Sequence, residues 1–319
     1  MNGLIVIWRI FVINKNKQIT IINIMDSIEA EWHNYVKTTA FLSPHTIKSY
    51  KNSHRKITNE LGFAISDASI NEVIKAVQDL TENPSSQATL YTAVIVFRKL
   101  ADLNNDAIWK EKNALRPAQR AMRQITSASK KEYLPTMDIL KKHLNEQFYN
   151  ENWRGYIINF LLINYNTRNA DLDLEFVNTI HKTKSDKKRN YIVIRKHDFV
   201  YIRNNYKTFK TYKQKRHIFK SIPFARAVKS FIAQQPPDSP IYLLDKEGLP
   251  INNNSIANYI KKYTYKSLTE GDYNKVAVSS ITEIADLRLL EQLGERRGTD
   301  LTTLIQYYNI PYNEKLWKH

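Results

Sequence analysis

Asn164-Tyr165-Asn166-Thr167-Arg168-Asn169-Ala170-Asp171-Leu172 sets an arginine between an apolar segment, Tyr156 to Tyr165, and an acid–leucine pair. Far downstream, Gln306-Tyr307-Tyr308-Asn309 ends a helical pattern on two adjacent tyrosines. Between them the hydrophobic period changes. Tyr191-Ile192-Val193-Ile194, Phe199-Val200-Tyr201-Ile202 and His217-Ile218-Phe219-Lys220-Ser221-Ile222 read as three short strands. The connection from the second to the third holds Lys207, Lys210, Lys213, Lys215 and Arg216. On either side the period is helical: Met137 to Phe148, capped by Thr136, then Trp153 to Asn164, Pro223 to Ala233, Asn254 to Tyr263, Ser280 to Leu293 and Asp300 to Tyr308. This pattern predicts a mainly α domain with a small antiparallel β-sheet, an α+β fold, over residues 135–319.

Upstream the pattern is helical throughout. Ile28, Trp32, Tyr35 and Val36 recur at helical spacing. Ser43-Pro44 opens a second helix that Gly62 stops, Ser69 caps a third, and Asn83-Pro84 precedes a fourth from about Ser86 to Leu103. Arg116, Arg120 and Arg123 follow at spacings of three and four, so they share one helical face. That face is either a phosphate-contacting stripe or a solvated one. Ser127-Ala128-Ser129-Lys130-Lys131 reads as a linker. The expected organisation is an extension over 1–24, a helical unit over 25–126, a linker over 127–134 and a second domain over 135–319. The extension has three readings: a hairpin, with Leu4 to Ile13 turning at Asn14-Lys15-Asn16-Lys17; a poor signal peptide; or a non-native segment before a start at Met25. The last is favoured.

The chain has 319 residues and 42% hydrophobic content, enough for one large or two ordinary domains with a real core. Lys and Arg number 48 against 31 Asp and Glu, a formal charge of +17. Such a surplus points to a polyanion, because phosphates bound by Lys and Arg release their counterions. There is no Cys, which excludes disulfides and Cys-ligated zinc. No stretch has the ~20 apolar residues that cross a membrane. Seven glycines leave little material for a nucleotide-cradling loop. Asp171, Asp173 and Glu175 alternate as metal-nuclease carboxylates sometimes do, but no partnering pattern accompanies them, and no metal site is expected.

A helical unit, a basic linker and a helical domain interrupted by a small sheet resemble the tyrosine recombinases, the phage-type integrases, over about residues 26 to 312. The box Thr167-Arg168-Asn169-Ala170-Asp171-Leu172 looks like the family's first arginine box. A guanidinium suits that place because it is planar, permanently charged and able to grip two phosphate oxygens. The resemblance implies that Asp171 orients it. Asn205-Tyr206-Lys207-Thr208 is similar to the family's hairpin lysine, which can donate a proton to the departing 5′-oxygen, with Lys210 and Lys213 as competitors. Arg297-Gly298-Thr299-Asp300-Leu301-Thr302-Thr303 looks like the lead-in to the nucleophile, which places that role on Tyr308, with Tyr307 as the neighbouring alternative. Lys210, Lys213, Lys215, Arg216, Arg116, Arg120 and Arg123 are the expected DNA contacts.

The resemblance implies breaking and rejoining of DNA through a 3′-phosphotyrosyl intermediate, without metal or nucleotide cofactor. It implies double-stranded DNA as partner, a homo-oligomer (dimer or tetramer) on that DNA, no membrane, and an intracellular place wherever the DNA lies, host nucleus or viral replication site. The chain departs from the family at two points. No histidine occurs between His217 and His319, so the His-x-x-Arg box is missing and Thr299 stands where a His or Trp follows the glycine. Lys275 is the replacement for the second arginine by spacing. Arg288, Arg296 and Arg297 are further candidates, and Arg297 is favoured by the Arg-Gly-Thr element, which resembles integrase-like proteins of large DNA viruses. Losing the general base slows attack by ~10²–10⁴ if nothing replaces it. The alternative is therefore a degenerate DNA-binding protein of the same fold.

Overall fold

Gly62, with φ of +78°, ends the first helix of the computed structural model, which describes residues 44–308 apart from 132, 186–188, 207, 210–212, 238, 247, 252–254 and 284–286. The expected extension, the helix around Ile28 to Val36 and the Ser43 cap lie outside the described residues. The chain divides into two compact units, 1–125 and 126–319.

In the first unit α1 (Pro44–Leu61), α2 (Ile70–Leu80), α3 (Pro84–Leu100) and α4 (Asp106–Ala114) follow the punctuation of the sequence. Ser69 caps α2 through a capping box: its hydroxyl accepts from the Glu72 N–H, and the Glu72 carboxylate accepts from the Ser69 N–H at 2.8 Å. The Asn83 side chain accepts from the N–H groups of Ser85 and Ser86, which fixes the start of α3. Ile57, Val73, Val77, Leu90, Val94 and Ile108 form the core. The next helix, α5 (Arg116–Lys131), contains the Ser127 to Lys131 run. Ser, Ala and Lys are all compatible with helix, and the boundary between the two units, 125/126, falls just before this run.

The second unit opens with α6 (Met137–Tyr149), capped by the Thr136 hydroxyl, and α7 (Trp153–Tyr165). Asn166 ends α7 in the left-handed region, φ +47°, ψ +44°. One 3-10 turn (Asn169–Leu172) then leads into β1 (Leu174–Val177). The short α8 (His181–Ser185) lies in the crossover to β2 (Asn190–Ile194), β3 (Phe199–Arg203) and β4 (Lys215–Phe219). α9 (Ile222–Ala233) and β5 (Ile241–Tyr242) follow, then a small ribbon of β6 (Asp245–Lys246) and β7 (Leu249–Pro250). The unit finishes with α10 (Ile256–Lys261), α11 (Glu270–Glu283), α12 (Leu287–Arg297) and α13 (Leu301–Tyr308).

The sheet order is β4-β3-β2-β1-β5, and the fold is α+β. β2, β3 and β4 pair antiparallel, as the three predicted strands require, but β1 runs parallel to β2, so the sheet is mixed. A parallel pair needs a crossover of about a dozen residues, which residues 178–189 provide. Ile192 and Tyr201 face the main core with Tyr156, Ile157, Leu161 and Phe224. Tyr191, Val193, Val200 and Ile202 cluster on the opposite face. Burial on both faces explains the continuous apolar runs of β2 and β3. The single helix expected over Ser280 to Leu293 is two helices, α11 and α12. α11 buries polar residues, Asp272, Asn274 and Ser279, beside Tyr273, Val276 and Val278, so its hydrophobic periodicity is weak.

Gly294 lets α12 approach the turn before α13. A Cβ there would stand 2.7 Å from the Thr299 carbonyl oxygen and 3.2 Å from the Leu304 side chain. Gly294→Ala is expected to destabilise the second unit by ~1–3 kcal/mol, the cost of overpacking. Urea unfolding followed by tyrosine and tryptophan fluorescence measures it, and an unchanged midpoint would show that the turn yields freely.

Candidate active site

The left-handed Asn166 turns the chain out of α7 so that Arg168 enters the 3-10 turn beside the end of α12. Its guanidinium is half-buried and bonds the α12–α13 turn: Nη1 donates to the Arg297 carbonyl at 2.9 Å, and Nη2 to the Thr299 hydroxyl at 3.0 Å and the Gly298 carbonyl at 3.4 Å. Those contacts occupy three of its five N–H donors. Burial, and next the charge of Arg297, lower the Arg168 pKa.

Asp171 is fully buried, and its partners differ from the expected one. Its Oδ2 accepts from the Arg168 backbone N–H at 2.9 Å and from Nη1 of Arg203 at 2.9 Å, not from the Arg168 guanidinium. Asp171 therefore orients the turn that carries Arg168. Arg203 is also fully buried and donates from Nη2 to the Arg296 carbonyl. Asn190 fastens the same turn to the end of β3: its side-chain amide donates to the carbonyls of Ala170 and Asn205 and accepts from the N–H groups of Asn204 and Asn205.

Arg297 is 1% exposed. Its Nη1 donates to the Asn166 carbonyl at 3.0 Å and its Nη2 reaches both carboxylate oxygens of Glu270, at 3.3 and 3.4 Å. Burial raises the Glu270 pKa while Arg297 and Arg168 oppose the rise. The Arg297 guanidinium carbon lies 5.1 Å from the centre of the Tyr308 ring, and its buried Nε–H has no hydrogen-bond partner among the described residues. Tyr308 is half-buried against a cluster containing Val278, Leu290, Leu293 and Leu304. Arg168 thus bonds the turn that follows α12, and Tyr308 lies against the guanidinium of Arg297 at the end of that helix.

The end of α12 explains why cations gather there. A helix leaves its last carbonyls without partners and carries partial negative charge at that end. Lys215 donates to the Glu295 carbonyl, Arg203 to that of Arg296, and Arg168 to that of Arg297. The Thr208 hydroxyl donates to the Gly298 carbonyl at 2.9 Å, so the hairpin loop also reaches this turn. Three arginines, Arg168, Arg203 and Arg297, stand against two carboxylates, Asp171 and Glu270, and the excess suits an anion.

The other expected residues fall as follows. Lys207 and Lys210 lie outside the described residues, as does the Tyr307 side chain. Lys213 is exposed, with φ of +56°, and Arg216 is exposed on β4. Lys215 is half-buried; its pKa is lowered by burial and then by Arg203, and Arg168 acts in the same direction. Lys275 is half-buried on α11, five residues after Glu270 and so about 140° around the helix from the residue that meets Arg297. Arg288 is exposed at the start of α12, and Arg296 donates to the Asn164 carbonyl at 3.1 Å. Arg116, Arg120 and Arg123 are exposed on α5. Arg203, Glu270 and His217 were missed. Arg203 had a signal, a charge closing the apolar strand Phe199 to Ile202. Glu270 had none, because its role comes from a partner 27 positions away. Among the described residues no helix is long and apolar enough to cross a membrane, and no cluster of acidic or histidine side chains is arranged to hold a metal ion.

His217 lies on β4, and its buried Nε2 has no partner among the described residues. Burial, then the charges of Arg203, Lys215 and Arg296, hold its pKa down at about 4. In the unfolded chain it titrates at the ordinary value of 6.5. The unfolded state therefore takes the proton first as pH falls, and stability is lost between pH 6.5 and about 4, by up to ~3 kcal/mol. His217→Gln is expected to flatten that part of the stability–pH curve, and a parallel curve would contradict the assignment. Arg203→Met, which leaves Asp171 charged and buried, is expected to cost ~3–5 kcal/mol by urea unfolding at neutral pH.

No protein-family model matches the chain, and no curated protein matches it. Among solved structures, the crystal structure of XerA recombinase is similar over 89% of this chain and 94% of that one, with 14% sequence identity and a TM-score of 0.37. A likeness of that size carries no assignment of activity.

Proposed function

We propose that the second unit is a tyrosine-type DNA strand transferase, a site-specific recombinase or integrase, in which Tyr308 attacks a backbone phosphate. The observation that carries this reading is the Arg297 guanidinium against the Tyr308 ring at 5.1 Å, with an unpaired Nε–H beside it and Arg168 bonded to the same turn. Tyr308 Oη would give its proton to solvent and bond to phosphorus, and the bond from phosphorus to the 5′-oxygen would break. That oxygen leaves with a proton, a step the reading gives to Lys207. The 3′-phosphotyrosyl link conserves the energy of the broken bond, and attack by a 5′-hydroxyl reverses it. Arg297 and the remaining donors of Arg168 would stabilise the charge that grows on the phosphoryl oxygens. Lys213, Arg216 and the Arg116–Arg120–Arg123 face would hold flanking phosphates without reading sequence. Assembly as a dimer or tetramer on double-stranded DNA belongs to the same reading.

A second reading, DNA binding without cleavage, is favoured by Glu270. Its carboxylate takes Nη2 of Arg297 through both oxygens and neutralises the cation nearest Tyr308.

A pool of nicked duplexes of random sequence separates the two, because a nick lets the 5′ fragment diffuse away and traps the covalent adduct. The wild type is expected to give an adduct stable to denaturant. Tyr308→Phe is expected to give none while retaining DNA binding, and Arg168→Ala and Arg297→Ala to lose about 10²–10³-fold in yield. Binding with no adduct sinks the enzyme and supports the second reading. Equal adduct from Tyr308→Phe removes Tyr308 as nucleophile. Failure to bind duplex at all removes both readings.

A further inference from the structure

Asn190 opens β2 and is fully buried, and its side chain bonds the backbone of two separate segments. Nδ2 lies 3.1 Å from the carbonyl oxygens of Ala170 and Asn205, and Oδ1 accepts from the N–H groups of Asn204 and Asn205, each at 2.9 Å. The carbonyls of Asp171 and Asp173 stand further from Nδ2, at 3.3 and 3.4 Å. A carboxamide has two N–H donors and one oxygen with two lone pairs. Here all of them are used: one donor reaches the arginine turn, and the rest hold the root of the loop between β3 and β4. A leucine of similar shape would leave the Asn204 N–H without that acceptor, and an aspartate would set negative charge against the carbonyls.

The loop that starts at this root also reaches the turn between α12 and α13, where the Thr208 hydroxyl donates to the Gly298 carbonyl at 2.9 Å. Arg168 grips the same turn through the Arg297 carbonyl and the Thr299 hydroxyl. The arginine turn and the loop are two arms that close on one turn, and Asn190 joins them at their base. The arms are not equally held. The arginine turn has a second, charged anchor, because the Asp171 carboxylate takes both the Arg168 N–H and the buried Arg203 guanidinium. The loop root has neutral bonds beside Asn190: the Asn204 side chain accepts from the Gln214 amide at 2.6 Å and donates to the Arg189 carbonyl at 3.1 Å. Neutral hydrogen bonds are about half as strong as charge-assisted ones. Loss of Asn190 therefore loosens the loop more than it loosens Arg168.

We propose that Asn190 and Thr208 are positioning residues for strand transfer, an inference that rests on the reading of the second unit as a strand transferase. Asn190 fixes the root of the loop against the arginine turn, and Thr208 ties the loop to the turn before α13. Both act through the proton donor of the loop, for which that reading names Lys207, the residue before Thr208 in the sequence. Neither touches the reacting atoms. When the bond from phosphorus to the 5′-oxygen breaks, that oxygen takes a proton, and a donor misplaced by about 1 Å slows the step ~10²-fold. Affinity for the duplex rests on the cations that meet phosphates, so a shifted loop leaves it largely intact.

The test measures the rate of adduct formation by the full chain at saturating duplex. The substrate is a nicked duplex recovered from the wild-type adducts of the random pool, made with either oxygen or sulfur bridging phosphorus to the 5′-carbon. The sulfur leaves as a thiolate and needs no proton, because a thiol is far more acidic than an alcohol. Asn190→Ala and Thr208→Val are expected to lose about 10²-fold with oxygen and to come within about tenfold of the wild type with sulfur. Arg168→Ala is expected to lose equally with both. Thr208→Ser, which restores the hydroxyl that Thr208→Val removes, is expected to recover the rate with oxygen. Thr208 is half-buried, so the Thr208 pair decides the matter if Asn190→Ala fails to fold. Equal losses with oxygen and sulfur, no loss with oxygen, or a loss that Thr208→Ser does not recover each overturn the inference. A wild type that forms no adduct removes the strand transferase and this inference with it. A wild-type adduct beside indifferent Asn190 and Thr208 variants removes the inference alone.

Discussion

The buried ion pair of Asp171 with Arg203 is the constraint on which the second unit's site depends. Both side chains are fully buried, with 2.9 Å between Nη1 and Oδ2. The same oxygen receives the Arg168 N–H, the Asp171 carbonyl receives the Tyr201 hydroxyl at 3.0 Å, and Arg203 continues to the Arg296 carbonyl. One carboxylate therefore joins the turn after α7, the end of β3 and the end of α12. A buried pair adds little net stability over apolar residues of the same volume, whereas leaving one charge without its partner is costly. Its effect is geometric: it fixes where Arg168 leaves the backbone.

That geometry also concentrates positive charge. Arg203, Arg168 and Lys215 each satisfy a carbonyl at the end of α12, and the helix end in turn holds cations that would otherwise repel one another. Burial first, and then the charges of Arg203, Lys215 and Arg296, depress the His217 pKa. Glu270 offsets part of it beside Tyr308, and its own raised pKa shows that burial outweighs the arginines near it.

Much of the architecture was legible in the chain. Short runs rich in β-branched and aromatic residues located β2, β3 and β4, and residues with a defined backbone job located the helix starts, as Ser69, Asn83 and Thr136 did. β1 was not legible, because four buried residues between a turn and a crossover carry no alternation. α11 was hidden by its buried polar residues. Order and spacing singled out Arg168, Arg297 and Tyr308, and the structure sets the Arg297 guanidinium against the Tyr308 ring. The identity of Asp171's partner was not, because Arg203 is 32 positions away and nothing local announces it. Lys275 was chosen by counting along the chain, whereas the cation beside Tyr308 is Arg297, brought there by the α12 end and the Asn166 turn.

The contacts of Arg168 with the α12–α13 turn span 129 to 131 positions. Closing so long a loop costs chain entropy that neither helix recovers by itself, and pairings of this separation form late in folding. During synthesis the arginine box and the sheet leave the ribosome well before the tyrosine does. The cation cluster then lacks both the helix end that holds it and the ring that covers Arg297. The order of residues along the chain thus acts as a timer: the contacts of Arg168 with the turn and of Arg297 with Tyr308 cannot all form before the last described helix docks.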